Sequence, residues 1–93
     1  MLILRKEAEQ DIQDAYDWYE QQRAYLGTAF IAEIDALLER IDNHQEMYAV
    51  AHSGVRRALC RKFPFAIYYA CSAHGVEVIA VLHQRRNPSY MRG

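Results

Sequence analysis

The sequence predicts a single α/β domain of the α+β type, in which a helical hairpin packs on a small, twisted, mainly antiparallel sheet of four strands. Two segments in the first half of the chain have the i, i+3, i+4 apolar spacing of amphipathic helices. Three segments in the second half are rich in β-branched and aromatic residues and are separated by turn signals. No linker or repeat divides the chain, so we expect one domain over residues 1–93 with the order β-α-α-β-β-β.

The first elements are a short strand and an amphipathic helix. Met1 to Leu4 is a short apolar segment that we expect to form the first strand. Apolar side chains from Ala8 to Tyr19 fall on one stripe, which predicts a helix from Lys6 to about Arg23. The remaining positions of this helix carry acids and amides, so it packs through one side and leaves the other in water.

A second helix follows a short connection. Gly27 suits a turn, and Thr28 is a plausible N-cap because its hydroxyl can accept a hydrogen bond from the first helical turn. Apolar residues from Phe30 to Ile41 form one stripe, and the helix is predicted to end at about Asn43. Because the connection is short, the two helices form an antiparallel hairpin.

The second half of the chain predicts three strands, Val55–Phe63, Phe65–Cys71 and Val76–His83. They are separated by a proline turn at Pro64 and by a small polar turn that ends at Gly75, which is typical of an antiparallel meander. The last strand is almost continuously apolar, as expected of a strand in the middle of a sheet or covered on both faces.

The charges are separated along the chain. Residues 1–46 contain eleven acids and four bases, whereas residues 47–93 contain one acid, Glu77, and seven bases. The net charge of −1 and the pI of 6.4 therefore conceal a dipolar molecule. An acidic helical layer beside a cationic sheet favours two macromolecular partners over one small substrate.

Composition excludes several classes of protein. No apolar run approaches the roughly 20 residues of a membrane span, and acids follow the first apolar residues too soon for a secretion signal, so we expect a cytoplasmic protein. Cys60 and Cys71 lie at unequal distances from the turn between them, which predicts two buried, reduced thiols. The chain has no CxxC, no HxxxH and no glycine-rich phosphate loop, so we expect neither a metal nor a cofactor.

Arginines on the first strand of the meander are candidate binding residues. Strand alternation sends Arg57 and Arg61 to one face of the sheet and Arg56 and Lys62 to the other. An arginine that faces the helices needs an acidic partner, so we expect one of them to anchor the sheet to the acidic helices. Arg57 and Arg61, on the uncovered face, are suited to bind a phosphate or a carboxylate.

The end of the chain combines cations and an aromatic residue. Arg85 and Arg86 leave the last strand, and Tyr90 follows shortly after a proline. Guanidinium groups bind phosphate or carboxylate with two hydrogen bonds, and a tyrosine ring can stack on a base or enter a partner's pocket. His83 adjoins this cluster and could transfer protons near neutral pH, although a histidine at the end of a buried strand is more often structural.

The order of these motifs resembles the ParE/RelE superfamily of toxins from type II toxin–antitoxin systems, over nearly the whole chain. The specific part of the resemblance comprises Val55-Arg56-Arg57, Phe63-Pro64-Phe65-Ala66-Ile67-Tyr68-Tyr69, Val78-Ile79-Ala80-Val81-Leu82-His83 and Arg85-Arg86-Asn87-Pro88. The chain is most similar to the ParE, or plasmid stabilisation, branch, in which a strand that ends in histidine precedes an Arg-Arg-Asp-Pro-like segment. Here Asn87 replaces the acid.

The resemblance implies a toxin that arrests growth when it is free of its cognate antitoxin. ParE-like members are associated with inhibition of DNA gyrase, and RelE-like members cut messenger RNA on the ribosome. Met47 to Gly54 contains no lysine or arginine, whereas an active RelE-like nuclease has a lysine-rich run there, so we favour a gyrase inhibitor over an enzyme. A ribosome-dependent endonuclease and a non-toxic binding module are the alternatives.

The resemblance also suggests which residues meet each partner. We expect the target, gyrase, to be contacted by Arg57, Arg61, Arg85, Arg86 and Tyr90. If the chain is instead a nuclease, the catalytic set is Arg57, Arg61, His83, Arg86 and Tyr90. We expect a ParD-like antitoxin to be contacted by Trp18, Tyr25, Arg56, Arg57 and Arg61. Operator DNA would be bound only through that antitoxin.

Overall fold

The computed structural model describes residues 1–85, which form two helices and five strands. In chain order these are β1 (Leu2–Leu4), α1 (Lys6–Gln22), α2 (Leu26–Asn43), β2 (Val50–His52), β3 (Val55–Leu59), β4 (Phe65–Ser72) and β5 (Gly75–His83). The α+β class, the helical hairpin and the meander are confirmed, but the order is β-α-α-β-β-β-β because there is one strand more than predicted.

The five strands form one mixed sheet in the spatial order β1-β5-β4-β3-β2. β1 runs parallel to β5 and covers only its first part, Val76–Val78, while the other neighbours are antiparallel. A bulge on β5 leaves Ile79 without an opposite residue on β4, because Tyr69 pairs with Val78 and Tyr68 with Ala80. The extra residue reverses the alternation, so Val78 and Val81 both pack in the main core.

The additional strand, β2, is short and exposed along its whole length. A turn at Ser53 and Gly54 connects it to β3, and both residues have positive φ angles, 46° and 79°. Two consecutive positive φ angles give a turn whose twist matches that of a hairpin. The Ser-Gly pair was the available signal, but β2 has only three residues and no alternating burial from which a strand could be recognised.

The helical hairpin is closed by a side chain of α1 rather than by a cap in the connection. α2 begins at Leu26, two residues before Thr28, so the prediction of Thr28 as the N-cap is wrong. Instead, the Glu20 carboxylate accepts hydrogen bonds from the backbone N–H groups of Gly27, at 2.8 Å, and of Thr28, at 3.4 Å. Gly27 permits this approach, since a Cβ there would lie 2.6 Å from the Cγ of Glu20.

The main core lies between the hairpin and one face of the sheet. Its fully buried side chains include Phe30, Ile34, Leu37 and Ile41 of α2, which confirms the predicted stripe of that helix. The rings of Tyr19, Phe30, Phe63 and Phe65 pack together at one end of the core, with centroids 4.9 to 6.1 Å apart. Such ring pairs stabilise a core beyond the area they bury.

The two cysteines differ in their environment. Cys60 is buried in the main core, as predicted, whereas Cys71 is exposed, so the prediction of two buried thiols is wrong for Cys71. Both thiols are free. Burial raises the pKa of the Cys60 thiol to about 11, so this sulfur stays protonated and unreactive at neutral pH.

Candidate functional site

The face of the sheet that packs against no described helix, here called the helix-free face, is the setting for the predicted cations. Cross-strand pairs place Arg57 of β3, Tyr68 of β4 and Ala80 of β5 in one row across it. This face carries a second, smaller cluster of buried side chains, formed by Val55, Ala66, Tyr68, Ala80 and Leu82. The surface around Arg57 is therefore apolar and packed, and only part of it faces water.

Arg57 lies on the helix-free face, as predicted, and rests on a tyrosine. Its Nε donates a hydrogen bond to the Tyr68 hydroxyl at 3.1 Å, and its guanidinium carbon is 5.9 Å from the Tyr68 ring centroid. Tyr68 thus holds the guanidinium in two ways: its hydroxyl accepts one of the five N–H donors of Arg57, and its ring lies beside the cation. Within residues 1–85 no carboxylate forms an ion pair with Arg57, whose side chain is half-buried.

Arg61 does not share a face with Arg57, so the prediction that strand alternation aligns them is wrong. β3 ends at Leu59, and Arg61 and Lys62 lie in the turn that leads to β4, where both are exposed. The ladder ends because the Glu33 carboxylate of α2 accepts the backbone N–H groups of Arg61, at 2.8 Å, and of Lys62, at 3.1 Å. Nothing in the local sequence indicates this contact, which joins residues 28 positions apart.

Arg56 of β3 faces the helical side of the sheet next to the edge strand β2, but it has no acidic partner among the described residues. Its guanidinium donates to the backbone carbonyls of Tyr48, at 2.6 Å, and of Glu46, at 3.3 Å. The expected anchor is present, but it holds the segment before β2 rather than an acid of the helices. In the described part of the chain, Arg5 forms the arginine–carboxylate ion pair, at 2.7 Å from Glu77.

His83 points to the helical side of the sheet, opposite to Arg57. Its ring packs against Phe65 with centroids 5.6 Å apart, and its Nδ1 accepts the backbone N–H of Arg85 at 3.2 Å. It lines a small groove together with Asp11 and Asp14 of α1. Asp11 accepts the backbone N–H of Val81 at 3.0 Å. This donor of β5 is therefore hydrogen-bonded although β1 pairs only with Val76–Val78. His83 and Arg57 therefore do not meet in one site.

Arg85 emerges at the end of the sheet that carries Arg61. The backbone N–H of Gln84 donates to the carbonyl of Pro64 at 2.8 Å, which extends the pairing of β4 and β5 by one step. Arg85 follows as an exposed residue beside the β3–β4 turn. The other two predicted site residues of this region, Arg86 and Tyr90, lie outside the described residues, as does Asn87.

The two aromatic residues predicted to meet the antitoxin are both exposed. Trp18 of α1 is 56% exposed, and its ring packs edge-on against Tyr19. Tyr25, between the helices, is 80% exposed and has a positive φ of 69°, which is an unfavourable backbone conformation for a residue with a side chain. Its carbonyl accepts the N–H of Ala29, so the start of α2 maintains that conformation.

The described residues form no candidate metal site. No group of three His, Cys, Asp or Glu side chains within residues 1–85 could hold a metal ion. Burial raises the pKa of the Tyr69 hydroxyl to about 12, and this hydroxyl donates to the carbonyl of Gln45 at 2.8 Å. Neither described helix is long and apolar enough to cross a membrane.

Comparisons with known proteins agree with this architecture. The family model described as "ParE toxin of type II toxin-antitoxin system, parDE" matches residues 2–88. A solved structure described as the chromosomal ParDE TA system from P. aeruginosa has a similar fold, with a TM-score of 0.67 and 15% sequence identity. The match covers 88% of this chain and 92% of that chain. No curated protein matches the sequence.

Proposed function

This chain belongs to the ParE toxin family of type II toxin–antitoxin systems, and we propose that it arrests growth by inhibiting DNA gyrase. A toxin of such a system has a cognate antitoxin as its partner. The proposed gyrase contacts are Arg57 on the helix-free face, Arg61 and Arg85 at the end of the sheet, and Arg86 and Tyr90, which are outside the described residues. No cofactor takes part in this function, because inhibition requires binding only.

The observation that carries the proposal is the environment of Arg57. Its guanidinium is held by the hydroxyl and the ring of Tyr68, and no carboxylate of the described residues neutralises it. Tyr68 is 3% exposed, so it supports the guanidinium from within the sheet and is not itself a contact surface. A guanidinium held in this way loses little conformational freedom when it binds a carboxylate or phosphate of a large partner.

The position of His83 argues against the nuclease alternative. Cleavage of RNA by its 2′-hydroxyl requires a base, an acid and cations around one phosphate. His83 lies on the opposite face from Arg57, and its Nδ1 accepts a backbone hydrogen bond. Of the described members of the predicted catalytic set, Arg57 and His83 therefore lie on opposite faces of the sheet, and Arg61 lies in the β3–β4 turn. An inhibitor that acts by binding does not require them to converge.

We propose that the antitoxin uses a surface that begins at the helical hairpin. Trp18 and Tyr25 are exposed aromatic anchors there, and Arg61 is an exposed cation at the adjacent end of the sheet. Arg57 contributes where an acidic antitoxin segment reaches the helix-free face. Arg56 belongs to the proposed antitoxin contacts as well, because its two backbone hydrogen bonds both come from Nη1 and leave other donors of the guanidinium for a partner. Operator DNA is bound through the antitoxin.

Parallel assays of supercoiling and translation test the proposed target. Purified protein should block supercoiling by gyrase or trap cleaved DNA, and it should leave translation by ribosomes unchanged. Arg57→Gln should weaken inhibition, while Lys6→Gln, which removes an exposed charge at the start of α1, serves as a matched control. Codon-phased cuts in messenger RNA with unaffected gyrase would establish the nuclease alternative. Full growth on induction without antitoxin, with neither effect, would indicate a non-toxic binding module.

A further inference from the structure

A groove beside α2 lies on the helical side of the molecule, away from the helix-free face. It has a volume of ≈ 440 Å³ and runs between the first half of α2 and the β3–β4 turn. Its lining residues are Arg23, Leu26, Ala29, Ala32, Glu33, Lys62 and Phe63. The floor is apolar, and the exposed side chains of Ala29 and Ala32 are small enough for another chain to approach α2 closely.

Two cations and one carboxylate line this groove. Arg23 and Lys62 are both exposed, and they stand on its two walls. Glu33 is the one acid among the described lining residues, and its Oε1 is occupied by the backbone N–H groups of Arg61 and Lys62. These hydrogen bonds, with that of Lys62 first, hold the pKa of Glu33 below its ordinary value. The carboxylate therefore acts on the backbone of the turn, while the cations face outward.

We infer that Glu33 is a positioning residue for antitoxin recognition, which fixes the β3–β4 turn so that Lys62 forms the cationic wall of this groove. The inference rests on the proposed pairing with an antitoxin. The occupant of the groove is an acidic, amphipathic segment of that antitoxin. Its apolar side chains lie over Ala29 and Ala32, and its carboxylates pair with Lys62 and Arg23. Charge complementarity selects this occupant, because the two lining cations outnumber the one lining carboxylate, Glu33, whose Oε1 is engaged by the turn.

The sign of the effect separates positioning from simple electrostatics. Glu33 carries a negative charge beside the path of an acidic partner, so its charge alone opposes binding. If Glu33 contributed only that charge, both Glu33→Ala and Glu33→Gln would bind the antitoxin more tightly. A positioning role predicts a different pattern. Glu33→Ala removes the acceptor and releases the turn, whereas Glu33→Gln keeps an amide oxygen that can accept the same N–H groups.

The test measures binding of the full-length cognate antitoxin by stopped flow at several salt concentrations. Lys62→Ala should slow association and weaken binding about fivefold, as is typical for one exposed interfacial charge. Glu33→Ala should weaken binding to a similar extent and reduce the salt dependence of the association rate. Glu33→Gln should bind within about twofold of wild type. Glu39→Ala, at an exposed acid of the same helix, is the matched control and should not weaken binding.

A double-mutant cycle shows whether Glu33 acts through Lys62. If it does, Glu33→Ala with Lys62→Ala should lose about as much affinity as either single variant, because the second change has nothing left to disrupt. Losses that multiply, or a Glu33→Ala variant that binds as tightly as wild type or tighter, would overturn the role of Glu33 while leaving the antitoxin pairing intact. Failure of the wild-type protein to bind would instead remove the pairing itself, and this inference with it.

Discussion

The closure of the helical hairpin by Glu20 leads to a prediction that reverses the one drawn from the sequence. Glu20→Ala should destabilise the protein, and Thr28→Ala should have almost no effect. The Glu20 carboxylate accepts the N–H of Gly27 at 2.8 Å and, more weakly, that of Thr28 at 3.4 Å. In contrast, no side-chain cap is present at the N-cap position of α2, which is Tyr25.

The magnitude follows from three contributions. A side-chain cap at a helix N-terminus stabilises by about 1 kcal/mol, and a negative charge near the helix dipole adds about 0.3–1 kcal/mol. Alanine has a slightly higher helix propensity than glutamate, which returns a few tenths of a kcal/mol in α1. The net cost of Glu20→Ala is therefore about 1–1.5 kcal/mol. For a domain of this size, that corresponds to a melting temperature lower by roughly 4–12 °C.

Urea unfolding at neutral pH, followed by far-ultraviolet circular dichroism, measures this difference. The midpoint should fall for Glu20→Ala with an unchanged slope, and Thr28→Ala should remain within about 0.5 kcal/mol of wild type. Glu20→Gln should lie between the two, because it keeps an acceptor oxygen and loses the charge. If Thr28→Ala costs as much as Glu20→Ala, then the threonine hydroxyl caps α2 and the assignment to Glu20 is wrong.

Three further predictions concern buried and capping groups. The pKa of Glu33 is lowered in the folded state, so its contribution to the free energy of unfolding is present above the ordinary pKa of 4.5 and is lost as the pH falls further. The difference in free energy of unfolding between wild type and Glu33→Ala should therefore narrow below pH 4.5, and a constant difference would contradict this role of the carboxylate. For the thiols, a disulfide reagent should modify exposed Cys71 in the native protein, whereas Cys60 should react only after unfolding, and equal rates would contradict its burial. For Tyr69→Phe, loss of the hydrogen bond to Gln45 should cost about 1 kcal/mol in urea unfolding, and an unchanged midpoint would show that the bond contributes nothing.

The elements that the sequence predicts well are those with long, regular apolar patterns. The stripe from Phe30 to Ile41 predicts α2 because four of its residues must reach the core on one side of a helix. The strand from Val76 to His83 was found for a similar reason, although its apolar run hides the bulge at Ile79. Periodicity shows that a face is buried, but it does not show which residue of a run is left without an opposite partner.

The misplacement of Arg61 and of the Thr28 cap has one physical cause, which is a hydrogen bond to a carboxylate of another element of the fold. Strand alternation placed Arg61 on the same face as Arg57, but β3 ends earlier because Glu33 of α2 takes the backbone donors of Arg61 and Lys62. Likewise, the sequence around Thr28 predicts an N-cap there, but Glu20 of the preceding helix supplies the acceptor instead. In both cases a carboxylate of the helical layer accepts the backbone donors, and it comes from a different element of the fold, 7 residues away for Glu20 and Gly27 and 28 residues away for Glu33 and Arg61.

These carboxylates give the acidic half of the chain a structural role as well as an electrostatic one. Glu20, Glu33 and Asp11 all accept backbone N–H groups, and two of them act on the second half of the chain. Each of these carboxylates is thereby engaged within the fold, while Arg57 and Arg61 keep N–H donors for other molecules. The division into an acidic and a basic half thus allows the helices to order the sheet without neutralising Arg57 or Arg61 through any described ion pair.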